Sequence, residues 1–153
     1  MIEMLLPVAL LTSGLAAGVL LGGELGVIPF FMSLPADRYV HAHSFVVGRY
    51  DPFQPICLLT TGVIDALIAV FTPSALAKAV FAAGVVVVLS VVFVSRTHTA
   101  PMGRWLKTLD PEALPQDWEA GKFRARWARW NRRRAALAVL ALVVNVVGAG
   151  VLL

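Results

Sequence analysis

Four stretches of this sequence are apolar for long enough to cross a lipid bilayer, and they constrain the fold more than any other feature. They cover about residues 4–32, 53–71, 75–95 and 135–153. A hydrocarbon core about 30 Å thick requires about 20 helical residues, and continuous apolar runs favour helices because a lipid-facing span must satisfy its own backbone. With 59% hydrophobic and 14% charged residues, the chain has too little polar surface for a soluble domain of this size. The sequence therefore predicts an all-α, integral membrane four-helix bundle that forms one domain over residues 1–153.

Two polar stretches, 33–52 and 96–134, connect these runs and are expected to contain cytoplasmic loop helices. Pro35 suits the first turn of a helix over 36–47. Asp110-Pro111-Glu112 has the cap, proline and acid in the order that begins a short helix. Both loops are therefore predicted to be structured.

The last helix is predicted to begin near Asp117 and to continue without a break past Asn145. Phe123, Trp127 and Trp130 recur at helical spacing, so we expect this face to pack on the 36–50 segment. Aromatic and basic residues together also occur where proteins bind nucleic acid. At a cytoplasmic helix end they are more typical of the lipid interface, so no nucleic-acid partner is predicted.

The basic residues predict the orientation in the membrane. Residues 96–134 hold ten of the thirteen Lys and Arg residues, and Arg38 and Arg49 lie in the other loop of the same side. The opposite side carries Lys78 alone. Because basic loops stay in the cytoplasm, we expect a protein of the cytoplasmic membrane with both termini outside and both large loops inside.

Polar residues inside the spans are the first candidates for function, because burying them in lipid is costly. Glu24, Asp65 and Asn145 each lie about ten to twelve residues from the expected cytoplasmic end of a span, so we place them at a similar depth. A carboxylate there suits acid–base chemistry, which makes Glu24 and Asp65 catalytic candidates and Asn145 a substrate-binding candidate. The alternative is that they bond hydroxyls of a neighbouring helix, such as Thr60, Thr61 or Ser90, and only fix the packing.

The three histidines are the second group of candidates. His41 and His43 are two residues apart, so a helix directs them to opposite faces rather than to one metal ion. A metal site made by His41, His43, His98 and Glu24 stays open. The simpler hypothesis directs His43 into the bundle as a proton shuttle; the alternative is that the histidines are exposed at the interface.

Four further residues lie close to His43 or to the expected loop contact, and we assign them roles at the same site. Tyr39, Tyr50 and Trp127 are substrate-binding candidates. Arg49 is a catalytic candidate that could hold a phenolate or enolate, or it forms only a local ion pair with Asp51. We expect one cavity to join these groups, with Glu24 and His43 on its wall and Asp65 or Arg49 behind them.

Three stretches match one family in order and spacing. They are a small-residue-rich helix over 14–34 that ends at the Leu34-Pro35 step, the segment 49–55 that enters the second span, and 114–118 followed by Arg124, Trp127, Asn131 and Arg134. In these features the chain resembles the anthrone-oxygenase-like family of small four-helix membrane proteins. The resemblance implies a four-helix bundle that oxygenates reduced polycyclic aromatics such as anthrones, with dioxygen as co-substrate and without an identified cofactor.

Three functions follow from these observations. The first is a membrane-embedded oxidoreductase or oxygenase that takes a lipophilic, aromatic or polyketide-like small molecule from the bilayer. The second is a non-enzymatic membrane accessory or scaffold protein, and the third is a small transporter, which four short helices disfavour unless the protein oligomerises. Gly14, Gly18 and Gly22 have the spacing of close helix contacts, which leaves a homo-oligomer open. The cofactor and the substrate are not determined by the sequence.

Overall fold

The computed structural model describes residues 2–152, apart from the side chains of Ile2, Glu3 and Asp51. Within this range the chain forms four long helical segments and no strand. The helices are α1 (Ile2–Gly22), α2 (Ile28–Ser33), α3 (Ala36–Phe71), α4 (Ala75–Val94), α5 (Ala100–Leu106) and α6 (Ala120–Leu152). One π-helical turn, Gly23–Val27, joins α1 to α2, and a second, Ser95–Thr99, joins α4 to α5.

All four segments are long and apolar enough to cross a membrane by length and composition. Helix α1 packs against α3 and α6, and α4 packs against the same two helices, so the segments form a closed square. Small residues of α1 and α6, including Ala16, Ala17, Ala138 and Ala141, fill part of the core and let the helices approach closely. The predicted all-α fold with four helices long and apolar enough to span a membrane is confirmed.

The helices extend further than the predicted spans. Helix α3 runs from Ala36 to Phe71 through Pro52 and Pro55, where the sequence suggested that a span begins at 53. A helix packed among others tolerates the backbone bond that a proline removes. The third segment likewise continues past 95, through the second π turn, to Leu106. Charged residues in the sequence indicate where an apolar span ends, but they do not indicate where the helix ends.

The predicted short helix at Asp110 is wrong. Residues 107–119 form turns, and Asp110 Oδ1 accepts a hydrogen bond from the Glu112 backbone N–H at 3.0 Å. The residue types that cap a helix also stabilise an isolated turn, and no amphipathic stretch follows here to extend it. The loop helix over 36–47 is present, but as the beginning of α3.

Helix α6 passes Asn131 without a break, as predicted. Its Phe123 and Trp127 rings pack on α3, with the Trp127 ring 4.4 Å from His43 and the Phe123 ring 6.4 Å from Tyr39. Trp130 departs from the prediction, because its ring lies 3.4 Å from the ring of His98 on the second π turn. The predicted aromatic face is therefore divided between two neighbouring segments.

Candidate functional site

A cavity of about 260 Å³ lies between the four segments, at the end of the bundle where both π turns occur. Its apolar wall comes from all four segments and includes Leu20, Phe31, Leu58, Val92 and Trp127. The first π turn contributes Gly23 and Val27, and the second contributes Ser95, Arg96 and Thr99. π-helical turns widen a helix locally and are frequent at functional sites. The cavity thus coincides with the two irregular turns of the fold.

A chain of polar contacts crosses one side of the cavity. Asn131 Nδ2 donates to Glu24 Oε1 at 2.8 Å, and its Oδ1 accepts from Arg134 at 3.0 Å. Arg134 also donates to Thr99 Oγ1 at 3.1 Å. Arg132 lies 3.4 Å from the other Glu24 oxygen. Asn131, Arg134 and Thr99 line the cavity, so these contacts fix donors and acceptors at its wall.

Gln54 lines the same cavity from α3 and is only 5% exposed. Its Nε2 has no hydrogen-bond partner among the residues that the structure describes. A buried donor left unpaired costs about 1–3 kcal/mol. This amide is therefore suited to bind an oxygen atom of a molecule inside the cavity.

Glu24 does not line the cavity, contrary to the prediction, and contacts it only through Asn131. His43 does not line it either. Its ring stacks on Phe31 at 5.3 Å and meets Trp127 at 4.4 Å, and those two rings form part of the cavity wall. His43 Nδ1 is 2.8 Å from the Tyr39 hydroxyl, and Tyr39 is also absent from the wall. Both residues lie on the face of α3 that carries Val46 and Tyr50 one and two turns later. They therefore sit beyond the end of the cavity, behind its aromatic wall.

Arg124 holds the aromatic wall in place from α6. Its guanidinium donates to the backbone oxygen of Leu34 at 2.6 Å and of Phe31 at 3.4 Å, and lies 4.3 Å from the Tyr39 ring. The carbonyls at the end of a helix lack partners within it, so this buried arginine caps α2 and ties it to α6. Charge alone gives no indication of this role, because the neighbouring arginines of α6 are mostly exposed.

Asp65 and Asn145 lie away from the cavity. Asn145 Nδ2 donates to Asp65 Oδ2 at 3.1 Å, and both side chains are fully buried. Asn145 follows Asn131 on α6 by fourteen residues, about 21 Å along the axis. The predicted common depth with Glu24 is therefore wrong, because α3 and α6 begin well before the spans from which the depth was counted. The alternative, in which Glu24 and Asp65 bond hydroxyls of a neighbouring helix, does not hold either, since their partners are the amides of Asn131 and Asn145.

The remaining candidates divide between the cavity and the surface. Tyr50 and Trp127 line the cavity, and their role in substrate binding stays a prediction. Arg49 lies outside the cavity, with its guanidinium 3.5 Å from the Phe45 ring. The suggested pairing with Asp51 falls on a side chain outside the described part of the structure.

The proposed metal ligands are not brought together. His41 is exposed, His43 is buried behind the aromatic wall, and His98 packs on Trp130. Among the described residues no group of three or more His, Cys, Asp or Glu side chains is placed to hold a metal ion. His41, His43, His98 and Glu24 therefore do not form the site that the sequence left open.

Sequence reasoning missed the polar residues that do line the cavity. These residues are Gln54, Asn131, Arg134, Arg96 and Arg104. The first three lie in the stretches that resemble a known family, and the two others lie in the basic loop. Their membership of those stretches was the one available signal. Which of them face a common space depends on the rotation of three helices about their axes, which one sequence does not determine.

Comparison with known proteins gives one finding. A family model with the description "Anthrone oxygenase" matches residues 42–144 of the 153-residue chain. The matched region includes Gln54, Thr99, Asn131 and Arg134 and excludes Glu24. No curated protein and no solved structure matches the chain.

Proposed function

This chain belongs to the anthrone oxygenase family, and on that premise we propose that it oxygenates a lipophilic, reduced polycyclic aromatic molecule inside its cavity, with dioxygen as co-substrate. The observation that carries the proposal is a largely apolar cavity of about 260 Å³ into which a few polar groups converge. Sites for small molecules have this composition, and the volume of this cavity is just below the lower end of their usual range, about 300 Å³. The apolar outer surface of the helices lets such a substrate arrive from the bilayer.

For an anthrone, the proposed reaction converts a ring methylene and dioxygen into a carbonyl and water. A proton leaves the methylene carbon, and the electron pair is delocalised onto the carbonyl oxygen opposite as an enolate. The carbon then bonds to dioxygen, the peroxide takes up a proton, and loss of water leaves the quinone. The carbon is oxidised, one oxygen atom becomes the new carbonyl, and the other is reduced to water.

The polar wall suits the first step, in which negative charge develops on the substrate oxygen. We assign Gln54 Nε2 and the Arg134 guanidinium as donors to that oxygen, with Asn131 held between Arg134 and Glu24. Donors fixed in advance in a space with little water stabilise developing charge most effectively. The unpaired Gln54 amide supports this assignment.

Glu24 does not line the cavity itself, but it is the carboxylate bonded to Asn131 of the cavity wall, and we assign it as the group that takes the proton. Its Oε1 is 2.8 Å from Asn131 Nδ2, and its side chain is only 13% exposed. Asp65 is paired instead with Asn145, which lies about 21 Å from Asn131 along α6. His43 and Tyr39 then serve to position Phe31 and Trp127 on the cavity wall.

The proposal is tested by measuring dioxygen consumption and quinone formation with purified protein in detergent and anthrone as substrate. We expect equal molar amounts of dioxygen consumed and quinone formed, at a rate above that of anthrone without protein. Gln54→Leu should lower the rate by about 10²-fold, as expected for the loss of one oxyanion donor. Gln116→Leu, in the exposed loop, is the matched control and should retain the rate. A wild-type protein that does not accelerate the reaction contradicts the proposal.

A further inference from the structure

The cavity opens between α3 and the third helical segment, and two arginines stand at this opening. Among the residues that line the cavity, the clearly exposed side chains are Tyr50 and Pro55 from α3, and Arg96 and Arg104 from the second π turn and α5. They place the opening on one side of the molecule, between two neighbouring segments. A ligand entering there passes both guanidinium groups.

Arg96 and Arg104 have no hydrogen-bond or ion-pair partner in the described part of the chain. The ion pairs found there join Lys122 to Glu119 and Arg132 to Glu24. No Asp or Glu is among the described residues that line the cavity, whereas Arg96 and Arg104 both line it. Within the described part of the chain, the opening therefore carries positive charge that no carboxylate of its wall neutralises.

We infer that the substrate is an acidic polycyclic amphiphile whose rings fill the apolar part of the cavity and whose carboxylate is bound by Arg96 and Arg104 at the opening. Guanidinium groups bind carboxylates through strong, charge-assisted hydrogen bonds. This inference rests on the proposed function, since it names the substrate class of the same cavity. It adds that the acid group stays at the opening while the ring carbon to be oxidised lies deeper, near Gln54 and Asn131.

Lipid phosphate offers the same anionic chemistry at this level of a membrane protein. The placement of the two arginines favours a bound ligand, because they line an enclosed space as well as facing outward. Arg126 and Arg129 of α6, by contrast, are exposed and do not line the cavity. They provide a control with the same change of charge.

The test measures ligand binding without turnover. Anthraquinone-2-carboxylate and uncharged anthraquinone are titrated into the protein in an uncharged detergent, and binding is followed by quenching of tryptophan fluorescence, since Trp127 lines the cavity. We expect the carboxylate to bind about tenfold more tightly than the uncharged quinone, as one charged hydrogen bond allows. The double variant Arg96→Gln/Arg104→Gln should lose this preference and keep its affinity for the uncharged quinone. Arg126→Gln/Arg129→Gln should keep both.

Each other outcome counts against a specific claim. Equal affinities for the two quinones, or a preference that survives in Arg96→Gln/Arg104→Gln, overturn the inference and leave the proposed function standing. Binding of neither quinone contradicts the proposed function itself. Adding phosphatidylglycerol to the micelles distinguishes a bound substrate carboxylate from a lipid phosphate. The inference expects the protein still to prefer anthraquinone-2-carboxylate over uncharged anthraquinone. Loss of this preference would show that the arginines bind lipid headgroups.

Discussion

At the residue scale, the two carboxylates inside the apolar segments are both held by asparagines of α6. Glu24 is paired with Asn131 at the cavity, and Asp65 with Asn145 at the far end of the bundle. Both carboxylates were recognisable in the sequence, because an ionisable residue in an apolar span is conspicuous. Their partners and depths were not, because these depend on how far one helix is shifted along another. Because only the Glu24–Asn131 pair lies beside the cavity, we expect this pair to act in the reaction and the Asp65–Asn145 pair to stabilise the fold.

Replacing Glu24 separates proton transfer from positioning. Gln at this position can still accept the hydrogen bond from Asn131 but takes no proton, whereas Ala does neither. We expect Glu24→Gln and Glu24→Ala both to lower turnover of anthrone, by about 10²- to 10⁴-fold as is typical for loss of a general base. Quinone absorbance measures this directly. If Glu24→Gln kept most of the activity that Glu24→Ala loses, Glu24 would be a positioning residue instead.

Replacing Asp65 should affect stability and leave the chemistry unchanged. Ala at this position removes one of the two acceptors of the buried Asn145 Nδ2 and leaves it only the Ala141 backbone oxygen, at a cost of about 1–3 kcal/mol. Asn retains a hydrogen-bond acceptor, so we expect Asp65→Asn to unfold near the wild-type temperature and Asp65→Ala well below it. Thermal unfolding in detergent and the anthrone assay, run at a temperature where both variants are folded, check this together. If the Asp65→Asn protein were folded but inactive, Asp65 would have a role in the reaction and this prediction would be wrong.

At the scale of helices, the sequence predicted that four exist but not where they end. Apolar length determines whether a segment spans, so the four spans were recognisable. Helix ends depend on contacts beyond the membrane, and both Pro52 and Pro55 lie inside α3. The π turns at Gly23 and Ser95 were not predictable either. Both turns border the cavity. They place residues from two distant parts of the sequence on one cavity wall, and nothing in a single sequence indicates that these residues lie close together.

The contact of α6 with α4 depends on a glycine. A Cβ atom at Gly148 would lie 2.7 Å from Phe81 Cζ, whereas a Cβ at Gly150 meets nothing within 4 Å. We expect Gly148→Ala to destabilise the fold by about 1–3 kcal/mol, the usual cost of overpacking. Gly150→Ala is the matched control and should stay within about 0.5 kcal/mol of wild type. Unfolding temperatures in detergent measure both, and equal values for the two variants would show that Phe81 moves aside freely.

At the scale of the whole molecule, the alternation of the four segments puts the cavity and the basic residues at one end. The positive charge of 96–134 therefore predicts that the cavity opens on the cytoplasmic side. In a Cys57→Ala background, Gln116→Cys should be protected from a membrane-impermeant maleimide applied from outside the cell. Pro73→Cys, in the exposed turn at the other end, should react. The reverse labelling would contradict the orientation and place the opening outside.

The most direct test of the central claim is to follow oxygen itself. Purified protein is given anthrone under ¹⁸O₂, and the quinone is analysed by mass spectrometry while the protein-free rate is subtracted. The account predicts that the protein-dependent quinone carries a single labelled oxygen atom and that Gln54→Leu forms it far more slowly. Protein-dependent quinone without label, or a rate no higher than that of anthrone alone, would contradict oxygenation in this cavity.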